Sequence, residues 1–143
     1  MDLLHILQIS ASGLTAERTR LQTVSSNIAN AQTTRTEDGG PYQRRLPVFE
    51  SGPVSANPFG DVLDRKLQAP KVVDVVVDDR PNEQIYNPGH PDADPETGMV
   101  EMPNVNVVEE MVDMISASRA YESNVTAISA TKNMALKALE IGR

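Results

Sequence analysis

Glycine and proline cut this chain into three unequal zones, and that partition limits its possible folds more than any other feature. All ten prolines and six of the eight glycines fall between Gly39 and Pro103. Outside that stretch only Gly13 and Gly142 occur. Residues that break helices and make turns are thus confined to the middle, and both ends are free to run as long helices. The pattern predicts an α+β chain with long N- and C-terminal helices paired as a coiled coil. Between them it predicts a small β-rich middle subdomain with long loops. The expected divisions are an N-terminal helix over 1–31, a middle over 32–103 that begins with a flexible connector (32–41, no apolar content), and a C-terminal helix over 104–143. The middle also carries six of the seven net negative charges.

Helical periodicity supports both ends. Leu7, Leu14, Leu21 and Ile28 recur every seven residues, and Leu4, Ala11, Val24 and Ala31 widen the same stripe. Gly13 inside it costs about 1 kcal/mol relative to Ala, which points to something approaching the backbone closely there. Asn104 to Ile141 is 38 residues without Gly or Pro, ended by Gly142. There Met111, Ser118, Val125, Lys132 and Leu139 alternate with Met114, Tyr121, Ile128 and Ala135 as a heptad seam, imperfect at Ser118 and Lys132. Val108, Ile115, Leu136 and Val112 lie beside it, so the apolar surface is wider than one partner helix covers. In the middle, 42–50, 71–78, 83–86 and 98–102 read as short strands bounded by Gly, Pro, Asn or Asp.

Composition narrows the classes of function. Aromatics are 3% and Trp is absent, so a core must come from aliphatic residues, Met and Ala, a thin supply for a lone globule. The net charge of −7 argues against nucleic-acid binding, which needs a basic patch. With no cysteine there are no disulfides or thiolate metal sites. No stretch reaches the roughly 20 apolar residues of a membrane span, and MDLLHILQISASG has no basic segment of the kind that opens a cleaved secretory signal.

Chemistry-bearing motifs are scarce. His5 and His90 are far apart, and no nucleophile–base order, phosphate loop or zinc motif occurs. Asp92, Asp94 and Glu96 alternate as the ligands of a calcium loop do. However, Gly98 falls at the seventh position, Pro95 interrupts, and Pro103 stands where the closing Glu belongs. The loop therefore reads as a stiff turn closed by its Asp side chains. Arg44–Arg45 has the chemistry to grip phosphate or carboxylate, but reads as a solvated or partner-facing edge. Catalytic, cofactor and metal residues are expected to be none.

Asn27 and Asn30 flank Ile28 at the edge of the first stripe, after Ser25 and Ser26. Buried amides cost free energy unless paired, so at a packed seam they enforce one register and one partner. The expectation is that they meet another chain.

At these residues the chain resembles a known family. SGLTAERTRLQTVSSNIANAQTT (12–34) is similar to the N-terminal signature of the bacterial flagellar axial proteins, which build rod, hook and filament. EEMVDMISASRAYESNVTAISATKNMALKALEIG (109–142) resembles their C-terminal signature, and GGPYQRR (39–45) with NPGHPDADPETGMVEMPNVNVVEEM (87–111) narrows the likeness to the proximal rod members. The resemblance implies a structural, non-enzymatic subunit of the basal-body rod that assembles through its terminal helices into a tubular drive shaft around the export channel. The implied partners are copies of itself, other rod and basal-body proteins, and the flagellar type III export apparatus, in a rod spanning the periplasm without membrane insertion. The expected assembly interface is Leu7, Gly13, Leu14, Ala16, Leu21, Asn27, Ile28 and Asn30, with Met111, Met114, Arg119, Ala120, Tyr121, Asn124, Val125 and Ile128. The competing expectation is a helical adaptor or secreted binding module whose β insert captures a ligand or calcium.

Overall fold

The computed structural model describes residues 3–37, 39–54 and 67–141. In chain order it has α1 (Leu3–Ala29), β1 (Arg45–Pro53), β2 (Gln68–Val77), β3 (Glu83–Tyr86), β4 (Met99–Met102) and α2 (Val107–Ile141). Two long helices and two antiparallel ribbons make an α+β architecture. Gly142, expected to end α2, and residues 55–66 lie outside the described residues.

Local chemistry sets the helix ends. At the end of α1 both the N–H and the Nδ2 of Asn30 donate to the Ser26 carbonyl, at 3.1 and 2.9 Å, which anchors the last turn. At the start of α2 the Oδ1 of Asn106 accepts from the Val108 N–H at 3.0 Å, and Glu109 and Glu110 follow in the first turn, where the helix dipole favours anions. The helix begins three residues later than the expected Asn104 because that side chain is used elsewhere. Its Oδ1 accepts from the Arg44 N–H at 2.7 Å, while its Nδ2 donates to the carbonyls of Asp78 and Arg80 at 3.1 and 3.0 Å.

The first ribbon pairs β1 with β2, from Arg45↔Val77 to Pro53↔Gln68. Its register shifts between Val48 and Phe49, so Val73 has no partner in the ladder. The second pairs β3 with β4, from Glu83↔Met102 to Tyr86↔Met99. Gly98 precedes β4 at φ +67°, and a Cβ there would meet the Tyr86 ring at 2.9 Å, so the turn under Tyr86 requires glycine. The first ribbon leans on α1. The stretch expected to be a flexible connector is a hydrogen-bonded turn in its described residues: the N–H of Thr36 donates to Gly40 O at 2.9 Å, and that of Tyr42 to Thr33 O at 3.0 Å.

The helices run antiparallel, since Gly13 faces Asn124, Arg20 meets Asp113 and Asn27 meets Glu110. Here the expected seam needs correction. On α2 the row turned toward α1 is Glu110, Ala117, Asn124 and Thr131, one position before the predicted Met111, Ser118, Val125 and Lys132. Met111 and Val125 are exposed instead. The alternate row of Met114, Ile128 and Ala135 is half-buried as expected, though Tyr121 within it is exposed. On α1 the fully buried side is Ser10, Gly13, Ala16, Thr23, Val24 and Asn27, while the leucine stripe is only half-covered. Small and polar residues let the two backbones approach, and hydrophobic periodicity does not register them. Among the described residues the buried apolar side chains are few: Ala16, Val24, Tyr42, Val100 and Ala117.

Candidate functional site

Where the end of α1, the entry to β1, the exit of β2 and the start of α2 converge, the fold buries a polar hub. Asn27 is 1% exposed and uses all its hydrogen-bonding capacity inside the chain. Its Nδ2 donates to Glu110 Oε2 and to the Arg45 carbonyl, both at 2.9 Å. Its Oδ1 accepts from the Tyr42 hydroxyl and from the Arg45 N–H, both at 3.0 Å. The two bonds to Arg45 imitate a neighbouring strand and close the outer edge of β1. Asn30 likewise spends its amide locally, accepting from the Thr33 hydroxyl at 3.2 Å besides its bond to Ser26. The expectation that Asn27 meets another chain is thus corrected, since its partners are internal, whereas Asn30 is half-buried and part of it still faces outward.

Arg44 is the cation of the hub. Its Nε donates to Glu110 Oε1 at 2.5 Å, its Nη1 to Asp78 Oδ2 at 3.2 Å, and its Nη2 lies 3.7 Å from Asp113 Oδ2. Arg20 Nη2 donates to the other Asp113 oxygen, Oδ1, at 3.1 Å. Burial works against the charge on Arg44, but the bonds and attraction of Glu110 and Asp78 outweigh it and raise its pKa. Burial likewise opposes ionisation of Asp78. The Arg80 N–H and the guanidinium groups of Arg80 and Arg44 prevail, holding its carboxyl below the usual carboxylate range. Arg44 is therefore not the solvated edge expected of the Arg44–Arg45 pair. Only Arg45 is exposed, with its guanidinium 6.0 Å from the Tyr42 ring centroid. Glu110 is completely buried, and its two oxygens have Arg44 and Asn27 as partners, so its charge is compensated.

The acidic loop after β3 is a closed turn. Asp94 accepts from the Glu96 N–H at 3.1 Å and the Thr97 hydroxyl at 2.8 Å, and these bonds hold its pKa low. Asp92 accepts from the Thr34 hydroxyl at 2.8 Å and lies 3.8 Å from Arg35, which ties the loop to the chain leaving α1. Among the described residues no group of three or more His, Cys, Asp or Glu side chains is placed to hold a metal ion.

The predicted interface residues divide into three groups. Gly13, Ala16 and Asn27 are buried within the chain. Leu7, Leu14, Leu21, Ile28, Asn30, Met114, Ala120, Asn124 and Ile128 are half-buried. Met111, Arg119, Tyr121 and Val125 are exposed. Sequence reasoning gave no site role to Tyr42, Asp78, Glu110 and Asp113, took Asn104 only as a helix start, and weighed Arg44 only as half of an edge pair. One signal was available, since Glu110 stands seven residues before Ala117, itself seven before Asn124, in the row that proves to be inside.

Around this hub α2 carries an apolar coat that, among the described residues, no element covers. Val108, Met111, Val112 and Ile115 are 53–69% exposed and share one face, and helical geometry places it opposite the row that meets α1. Met134, Leu136 and Leu139 extend the exposed apolar surface toward the other end.

Residues 7–35 match a family model described as flagella basal body rod protein, and residues 96–141 match the C-terminal model of flagellar basal body rod FlgEFG proteins. The chain is 46% identical to the flagellar basal-body rod protein FlgC of Borreliella burgdorferi, across 99% of this chain and 98% of that protein. It is 41% identical to the FlgC proteins of Bacillus subtilis and of Escherichia coli O6:H1, across the full length of each. This chain belongs to the flagellar basal-body rod protein FlgC family. It is a structural rod subunit of the flagellar basal body, and the adaptor reading is not favoured. That rod relatives are structural points away from enzymatic activity. No described helix is long and apolar enough to cross a membrane.

Proposed function

We propose that this rod subunit builds a tube around the export channel, with its terminal helices paired as a coiled coil and packed against neighbouring subunits. The 4–3 spacing of Glu110, Met114, Ala117, Asn124, Ile128, Thr131 and Ala135 along the side facing α1, interrupted at the exposed Tyr121, supports the pairing. The division into 1–31, 32–103 and 104–143 follows, with the two ends as the assembly elements and the middle as an outer layer. Among the predicted interface residues, Gly13, Ala16 and Asn27 set the shape of the subunit from inside. Met111, Arg119, Tyr121 and Val125, with the half-covered Leu7, Leu14, Leu21, Ile28, Met114 and Ile128, meet copies of the chain and other rod and basal-body proteins.

The observation that carries this reading is the uncovered apolar face of Val108, Met111, Val112 and Ile115. Apolar surface left in water on this scale marks a contact site. Export completes the proposal. The type III apparatus passes the chain unfolded to the rod spanning the periplasm, and the helical ends become fully ordered when neighbours cover them. Circular dichroism of dilute monomer tests that step: partial helicity that rises on assembly is expected, and a fully helical cooperative monomer contradicts it. Imaging the assembled basal body with this subunit resolved tests the rest. The expected result is the Val108–Ile115 face buried against a neighbour, and a solvent-facing patch in the finished rod overturns the reading.

A further inference from the structure

The β1–β2 ribbon has two outer edges, and the fold treats them differently. On β1 the amide of Asn27 occupies both backbone groups of Arg45, and Pro47 has no N–H to offer. On β2, among the described residues, no second strand pairs with the outer edge. The N–H of Asp78 donates to Arg44 O at 2.8 Å, so antiparallel alternation turns the Val76 N–H inward and those of Val75 and Val77 outward. The side chains are VVDVVV over 72–77, a run of strong strand formers, with Val73, Val75 and Val77 39–55% exposed. A single carboxylate interrupts it. Asp74 Oδ1 accepts the outward Val75 N–H at 2.7 Å, filling the position an added strand would use.

We propose that the outer edge of β2 is a self-pairing strand and that Asp74 is the residue that keeps two copies from joining through it. The occupant is the β2 of a second copy, running antiparallel. Lys71 stands near one end of the strand and Asp79 just past the other, both exposed. Antiparallel pairing therefore sets opposite charges together at both ends, whereas parallel pairing sets like on like. Against this attraction Asp74 does two things. It takes the Val75 donor, and a strand laid over it would strip water from its charge. The inference is independent of how the helices assemble, because it concerns the ribbon edge alone.

The test is the self-association constant of the full chain by sedimentation or light scattering across a concentration series. Asp74→Thr keeps strand propensity and removes the carboxylate, and it is expected to tighten dimerisation by about tenfold or more. Adding Val75→Pro removes the outward N–H without touching the inner ladder, and is expected to return the constant to the wild-type value. An Asp74→Thr chain that associates no more than wild type overturns the proposal. So does a Val75→Pro double variant that associates as tightly as Asp74→Thr. Should Asp74→Thr fail to fold by circular dichroism, Asp74→Asn carries the test, with a shift toward dimer expected and a wild-type constant contradicting it.

Discussion

Asn124 lies against the backbone of Gly13: a Cβ added to Gly13 would stand 3.0 Å from its Nδ2. The glycine that interrupts the first helical stripe therefore makes room for a side chain of the second helix. Gly13→Ala gains about 1 kcal/mol of helix propensity and asks the amide to move a few tenths of an ångström, so it should be near neutral. Gly13→Val has no such room and should destabilise the chain by about 1–3 kcal/mol in urea unfolding. Equal midpoints for Gly13→Val and wild type would mean the helices do not approach here.

Asn27→Ala should be among the most damaging substitutions, at about 3 kcal/mol, because it leaves Glu110 Oε2, the Tyr42 hydroxyl and both backbone groups of Arg45 short of a partner. Asn27→Asp should be no better, since it sets a second carboxylate against Glu110. Urea midpoints of the two variants check both statements.

Arg44 and Glu110 call for a double-mutant cycle. Arg44→Met leaves the fully buried Glu110 without its cation and should cost about 3–5 kcal/mol. Glu110→Leu in the same chain should recover a large part of that loss, because an apolar pair of similar size removes the stranded charge. Additive losses would show that the two side chains do not act together.

Acid should loosen the hub through Asp78. Its folded pKa lies below the unfolded value, so its contribution to stability is complete above the usual carboxylate value of about 3.9 and disappears as pH falls through the lower folded pKa. Asp78→Asn should weaken the chain at neutral pH and flatten this part of the acid unfolding curve. A variant with an unchanged acid limb would assign that limb to other carboxylates.

Much of the architecture was legible because helix breakers and hydrophobic period are strong signals. The expected strand at 83–86 coincides with β3, and the long C-terminal helix runs unbroken from Val107 to Ile141. The hub was not legible for a physical reason. Arg44 and Glu110 are charged, and pattern reading sends charge to the surface unless a partner is known, whereas these two are 66 residues apart. The inner row of α2 escaped for a related reason: Glu110, Ala117, Asn124 and Thr131 carry little apolar signal, so the more oily row beside them drew the assignment. The same oiliness is what remains for neighbours to cover.

Val112, 61% exposed on the outer face of α2, gives the most direct test of assembly. Val112→Lys should leave the isolated chain as stable as wild type to within about 0.5 kcal/mol, because the side chain is mostly in water and a lysine there keeps its charge solvated. In cells lacking the native gene, the variant should fail to enter the basal body and leave the cells non-motile. Basal bodies that contain Val112→Lys at wild-type levels, in swimming cells, would contradict the claim that this face is where the subunit meets its neighbours.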